Sequence, residues 1–251
     1  MVSIIVSASC LGCGGEADET SVDEACRAAA ATFAAAPGPG ETAAGHAAFL
    51  DAADLAVREA TFPIRDLAAD SDDLALQELA RLLDRFPRLA GRWTIEEIVW
   101  RSWASVVRIA EVAAELGEPS CGAETFRLSD WESLAEQLTP PAADGTGYVE
   151  ALSAVCAESI GSFRRSGEAG ELGEVTDAVL ADNAVNSFDR GTDDLVPPAD
   201  LVDRHVSILA ALRSVDALTP ILGGRWPGAT DRLQASFDRI DADMEAMGAS
   251  C

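Results

Sequence analysis

Lysine is absent from this chain of 251 residues: all 18 basic positions are arginine, set against 43 aspartates and glutamates. The formal charge of −25 repels phosphate backbones, which argues against nucleic-acid binding. It also disfavours attraction to anionic lipid headgroups. Missing lysine beside abundant alanine, arginine, glycine and aspartate fits GC-rich coding or salt adaptation, which give the same solvated surface. Aromatic residues make up 6% and there are two histidines. No glycine-rich phosphate loop, Gly-x-Ser-x-Gly turn, calcium-loop spacing or di-iron Glu-x-x-His pair occurs. These gaps leave no catalytic residue and no cofactor to assign, and the expectation is a non-enzyme.

What is present is helix-forming sequence and cysteine. Apolar residues make up 48% with short β-branched runs, so the predicted class is all-α. Cys26 and Cys121 are 95 residues apart, as are Cys156 and Cys251, and the second pair follows the first by 130 positions. That period reads as a tandem duplication, each copy closed by its own disulfide in an oxidising compartment. Two four-helix up-down bundles would bring the start of helix one to the end of helix four, where both pairs fall.

Copy one spans 19–128. It opens at a capping box, Ser21-x-x-Glu24, followed by a stripe of Val22, Cys26, Ala29, Ala30 and Phe33. A second helix is predicted from about Thr42 to Arg58, stopped by Phe62-Pro63. A third carries Leu76, Leu79, Leu83 and Phe86. Thr94-x-x-Glu97 caps a long fourth helix with Ile95, Val99, Trp103 and Val106 inward. Residues 129–146 read as a linker with a short helix from Ser129 to about Leu138.

Copy two spans 147–251 and repeats the order. Leu152, Cys156, Ile160 and Phe163 form its first stripe, and Cys156-to-Phe163 has the seven-residue step of Cys26-to-Phe33. Leu201, Ile208, Leu212 and Val215 mark its third helix, and Leu233, Phe237, Ile240, Met244 and Met247 its last. Gly224-Arg225-Trp226 echoes Gly91-Arg92-Trp93 with an offset of 133, so the loops between copies differ in length.

The leader, residues 1–18, has a short apolar run, Val2-Ser3-Ile4-Ile5-Val6, too short for the roughly 20 residues of a membrane span. It reads as the tail of a secretory signal whose basic region lies upstream. Leu11-Gly12-Cys13-Gly14-Gly15 resembles the lipobox of bacterial lipoproteins. The resemblance implies cleavage before Cys13 and its lipidation, with Cys10, preceded by Ser7-Ala8-Ser9, as the alternative. It implies an extracytoplasmic protein that meets the membrane through its lipid alone.

Weaker candidates fill the rest. His46 and His205 lie in different copies on non-equivalent helices and are not expected to converge. Asp70, Asp72 and Asp73, the Asp193–Asp203 group, and Asp238, Asp241 and Glu245 read as solvated surface. Arg101, Arg108 and Arg239 read as surface pairs of Glu97, Glu111 and Asp243. Trp93 and Trp226 are candidates for a paired binding surface, with loop packing as the alternative. The reading is a binding or scaffolding protein whose partner is a protein or small molecule at the cell envelope. The alternative is a small-molecule or divalent-cation carrier using a groove between or within the bundles.

Overall fold

A computed structural model describes residues 21–87, 94–138, 145–168, 174–192, 195–222 and 228–251. Cys10, Cys13, Trp93 and Trp226 lie outside these described residues, as do the two Gly-Arg-Trp segments. Among the described residues the regular structure is entirely helical. The first half contains α1 (Val22–Ala34), α2 (Ala43–Ala69), α3 (Leu74–Asp84), α4 (Ile95–Glu115) and α5 (Leu128–Leu138). The second contains α6 (Gly145–Glu158), α7 (Ile160–Glu168), α8 (Glu174–Thr192), α9 (Val202–Leu218) and α10 (Ala229–Ala246).

Local chemistry sets most of the boundaries. Ser21 Oγ accepts from the Glu24 amide at the start of α1, and Thr42 does the same for Gly45 in α2. Asp73 accepts the Ala75 and Leu76 amides, so this aspartate caps α3. Thr94 and Glu97 complete a reciprocal capping box at α4. Arg127 takes a left-handed backbone, φ 53°, and its Nη1 donates to the carbonyls of Phe33, Ala36 and Pro37. It thereby satisfies carbonyls left open where α1 ends.

The second helix departs from expectation. It runs 27 residues, straight through Pro63. Proline forfeits one amide donor there. However, Ala60, Ile64 and Ala68 continue the buried stripe on both sides of it. Burial of that face outweighs the single lost bond.

Both cysteine pairs form disulfides, Cys26–Cys121 with Cα atoms 5.0 Å apart and Cys156–Cys251 with 4.7 Å. Cys121 lies in a 3₁₀ turn, Pro119–Cys121, just after α4. The Ser250 amide donates to Ser153 Oγ, tying the end of the chain to α6 beside the second bond.

The core is continuous between the halves. α9 packs most extensively against α10 on one side and α4 on the other, and it also meets α3 and α8. The single stripes predicted for α4 and α9 are too narrow. Ile98, Val99, Trp100, Trp103, Ala104 and Val106 are all buried on α4, and residues 208–215 of α9 are buried around the whole circumference. A helix apolar on every side belongs inside a core. The short α5 also contributes to it: Trp131 is fully buried, stacks edge-on against Phe49 at 4.9 Å and donates to the Phe126 carbonyl.

Candidate functional site

The halves meet across buried charge. Glu78 of α3 is fully buried and receives donors from three other helices. Arg108 of α4 donates through Nε at 2.8 Å and Nη2 at 3.2 Å, and Ser214 of α9 donates at 2.7 Å. Arg232 of α10 donates through Nε. Ser236 of α10 donates to Ser214 at 3.0 Å and extends the chain of bonds. Breaking a buried ion set by removing one partner costs roughly 3–5 kcal/mol, because a charge is left without compensation. The Glu78 cluster therefore locks the relative placement of α3, α4, α9 and α10.

Around that lock lies a second layer. Arg108 Nη1 donates to Glu111 at 3.0 Å, and Arg239 Nη1 donates to the same oxygen at 2.7 Å. Burial alone works against charge on both Arg108 and Glu111. The bonds outweigh it, raising the arginine's pKa and lowering the glutamate's. Arg232 Nη2 lies 2.6 Å from Glu115. Arg239 Nε donates to Ser207, which donates to Asp243 at 2.5 Å, and Asp243 also pairs with Arg204.

Arg101, Arg108 and Arg239 are thus not the ordinary surface pairs expected of them. The side chains of Arg101 and Arg108 are 12% exposed, and Arg239 bonds Ser207 and Glu111 rather than Asp243. Arg101 donates to the carboxylate and the carbonyl of Asp189, both at 2.9 Å, and Arg213 pairs with the same carboxylate. Arg85 adds a third crossing by donating to the Asp216 carbonyl at 2.8 Å. Burial raises the pKa of the Asp216 carboxyl despite Arg85 and Arg213. The reason for the error is general. A single charged residue flanked by apolar neighbours has the same local sequence whether its helix face meets water or another helix.

A cavity of about 180 Å³ opens beside the Glu78 cluster. Its floor is made of small buried residues, Ala211 and Ser214 from α9 and Ser236 from α10, and the exposed Ala235 of α10 stands at its mouth. Arg108 and Glu115 wall it from α4, and Arg232 and Arg239 from α10. α4 and α10 each pack on α9 far more than on each other. Their gap is crossed by long side chains, Arg232 to Glu115 and Arg239 to Glu111. A second cleft of about 140 Å³ lies between α7 and α8, edged by Ser159, Ser162, Phe163, Asn183 and Ser187.

The histidines go to separate places. His46 bonds Gln137 at 3.1 Å. His205 is buried on α9, its Nδ1 2.7 Å from the Tyr148 hydroxyl, with the Trp100 ring edge-on at 5.5 Å. Burial drives its pKa down to about 4 and pushes the Tyr148 phenol up. His205 Nε2 and the indole nitrogens of Trp100 and Trp103 have no hydrogen-bond partner among the described residues.

The acidic groups scatter. Asp73 is a helix cap, Asp241 makes two bonds to Arg164, Asp238 accepts from Gln234, and Asp200 and Asp203 are exposed. Among the described residues no three or more His, Cys, Asp or Glu side chains are grouped to hold a metal ion, and no helix is long and apolar enough to cross a membrane. Sequence reasoning missed Glu78, Arg232, Ser214 and Ser236, the residues that build the junction. The only signal was a glutamate next to Leu79 within a leucine-rich helix, which is ordinary surface spacing as well. No family model matches the chain, no curated protein matches it, and no solved structure matches it.

Proposed function

We propose that the chain is an extracytoplasmic helical binding or scaffolding protein, held at the membrane by a lipid on Cys13, or on Cys10. The observation that carries this reading is the pair of disulfides, each closing a loop of the same separation, 95 residues. Structural disulfides persist in oxidising compartments and are rare in the cytosol. A loop of that length adds up to about 4.7 kcal/mol in the chain-entropy model. The lipobox-like Leu11-Gly12-Cys13 points the same way.

In this reading the protein is two tandem four-helix up-down bundles derived from one duplicated unit. Adding 130 to the bounds of α3 gives 204–214, inside α9, and adding 130 to those of α2 gives 173–199, which covers α8. The same shift takes α4 to 225–245, overlapping α10, and α1 to 152–164, across the α6–α7 break. Mass spectrometry of the membrane fraction is the test. A diacylglyceryl-modified cysteine at position 13 or 10 is expected. A soluble cytosolic protein beginning at unmodified Met1 would sink the proposal.

A second reading, a carrier of a small molecule in the groove between the halves, is favoured by the cavity bounded by α4, α9 and α10. No comparable feature supports a divalent cation among the described residues. Thermal unfolding against a metabolite panel and calcium separates the two cargo classes. No shift with any compound leaves the protein-interaction reading.

A further inference from the structure

We infer that the cavity between α4 and α10 binds a small dicarboxylate, clamped at its two ends by Arg232 and Arg239. The assignment rests on the small-molecule reading of the groove and names its ligand class.

The sign of the ligand follows from which polar atoms are already occupied. Glu78 is enclosed behind the cavity with donors from Arg108, Arg232 and Ser214 on its two oxygens. Glu111 receives both Arg108 and Arg239. The carboxylates behind the wall are therefore taken. The arginines are only partly so. Arg232 donates to Glu78 through Nε, and its Nη2, 2.6 Å from Glu115, is buried without a formed hydrogen bond among the described residues. Arg239 donates through Nε to Ser207 and through Nη1 to Glu111, which leaves Nη2 of its fork for another acceptor. A guanidinium offers five N–H donors in a planar fork suited to carboxylate oxygens. Glu115, the carboxylate that lines the cavity among the described residues, is 43% exposed and pairs with Arg232 at the rim, so it yields readily to a competing acceptor.

Size and spacing narrow the class. The volume of about 180 Å³ admits a ligand of several heavy atoms, since one water occupies roughly 30 Å³ of liquid. Arg232 and Arg239 are two turns apart on one face of α10, about 10 Å along its axis. A four-carbon dicarboxylate, with a hydrogen bond of about 2.9 Å at each end, spans that separation. A single acetate or sulfate reaches one guanidinium. The small residues Ala211, Ser214 and Ser236 on the inner side leave room for the methylenes. In a chain of charge −25, anions are repelled from most of the surface, whereas here Arg108, Arg232 and Arg239 balance Glu78, Glu111 and Glu115, so the local repulsion is lifted.

The test is thermal unfolding and calorimetric titration of the full chain with succinate, acetate, sulfate and the neutral isostere succinamide, at constant ionic strength. Succinate raises Tm at millimolar concentration and binds at least about tenfold tighter than acetate or sulfate. Succinamide does not bind. Arg239→Gln weakens succinate at least about tenfold. Ala235→Leu, which leaves every ion pair in place and fills the cavity mouth, does the same, and it carries the test should Arg239→Gln fail to fold. Succinate without effect, succinate no better than acetate, or succinate unaffected by Ala235→Leu each overturns the assignment. A response to succinamide alone overturns it too, while leaving a small-molecule groove standing.

Discussion

The buried imidazole of His205 builds a stability step into the acid side of neutrality. It is 1% exposed and faces the Tyr148 hydroxyl and the Trp100 ring. Burial lowers its pKa from 6.5 to about 4. Between those values the unfolded chain binds a proton that the native state refuses. Stability therefore falls as pH drops from about 6.5 to about 4 and levels off below, where both states are protonated. Above about 6.5 neither state carries the charge and the group contributes nothing. Each pH unit of that gap is worth about 1.4 kcal/mol, so the whole step is roughly 3 kcal/mol. The assay is urea unfolding of the wild-type protein and His205→Gln across this window. Glutamine keeps an acceptor for Tyr148 and does not titrate. The carboxylates titrate alike in both proteins, so the difference in stability isolates the imidazole. That difference is expected to move against the wild type by about 3 kcal/mol from neutral pH to pH ~4. A difference that stays constant over the window refutes the argument.

Glu78→Ala strands Arg108 and Arg232 in the junction and should cost about 3–5 kcal/mol by urea unfolding, whereas Arg27→Ala, at a side chain 67% exposed, should change stability by under about 1 kcal/mol. Equal effects would refute the distinction between the two ion pairs. Cys26 and Cys121 are both fully buried, while Cys251 is exposed, so limited reductant followed by alkylation should label Cys156 and Cys251 first. Simultaneous labelling of all four contradicts that order. Trp131→Ala should destabilise by about 3–5 kcal/mol by urea unfolding, since the indole is fully enclosed and its N–H is bonded. A loss under about 1 kcal/mol would place α5 outside the core.

Helix content and caps were legible from local pattern, and cysteine pairing from the equal spacing of the two pairs. The capping residues Ser21, Thr42 and Thr94 stand where the helices begin, because a hydroxyl two or three residues before open amides acts within one turn. Pro63 misled because its penalty is local, whereas the gain from burying Ala60, Ile64 and Ala68 is tertiary. Arg101, Arg108 and Arg239 misled for the same reason: their partners Asp189, Glu78 and Glu111 come from other helices, with Glu111 alone also near in sequence to Arg108.

The amino-acid sequence by itself determined an all-helical chain with two equally spaced cysteine pairs and an acidic, lysine-free surface. Those properties depend on period, capping and composition, each readable within a few residues or by counting. Only the tertiary structure decided that residues 98–106 of α4 and 208–215 of α9 lie within the core, that Glu78 collects donors from three other helices, and that a cavity lined by Arg108, Arg232 and Arg239 lies between α4 and α10. Glu78 and Arg232 are 154 residues apart, and no local pattern distinguishes a charge that will meet its partner inside the protein from one that will meet water.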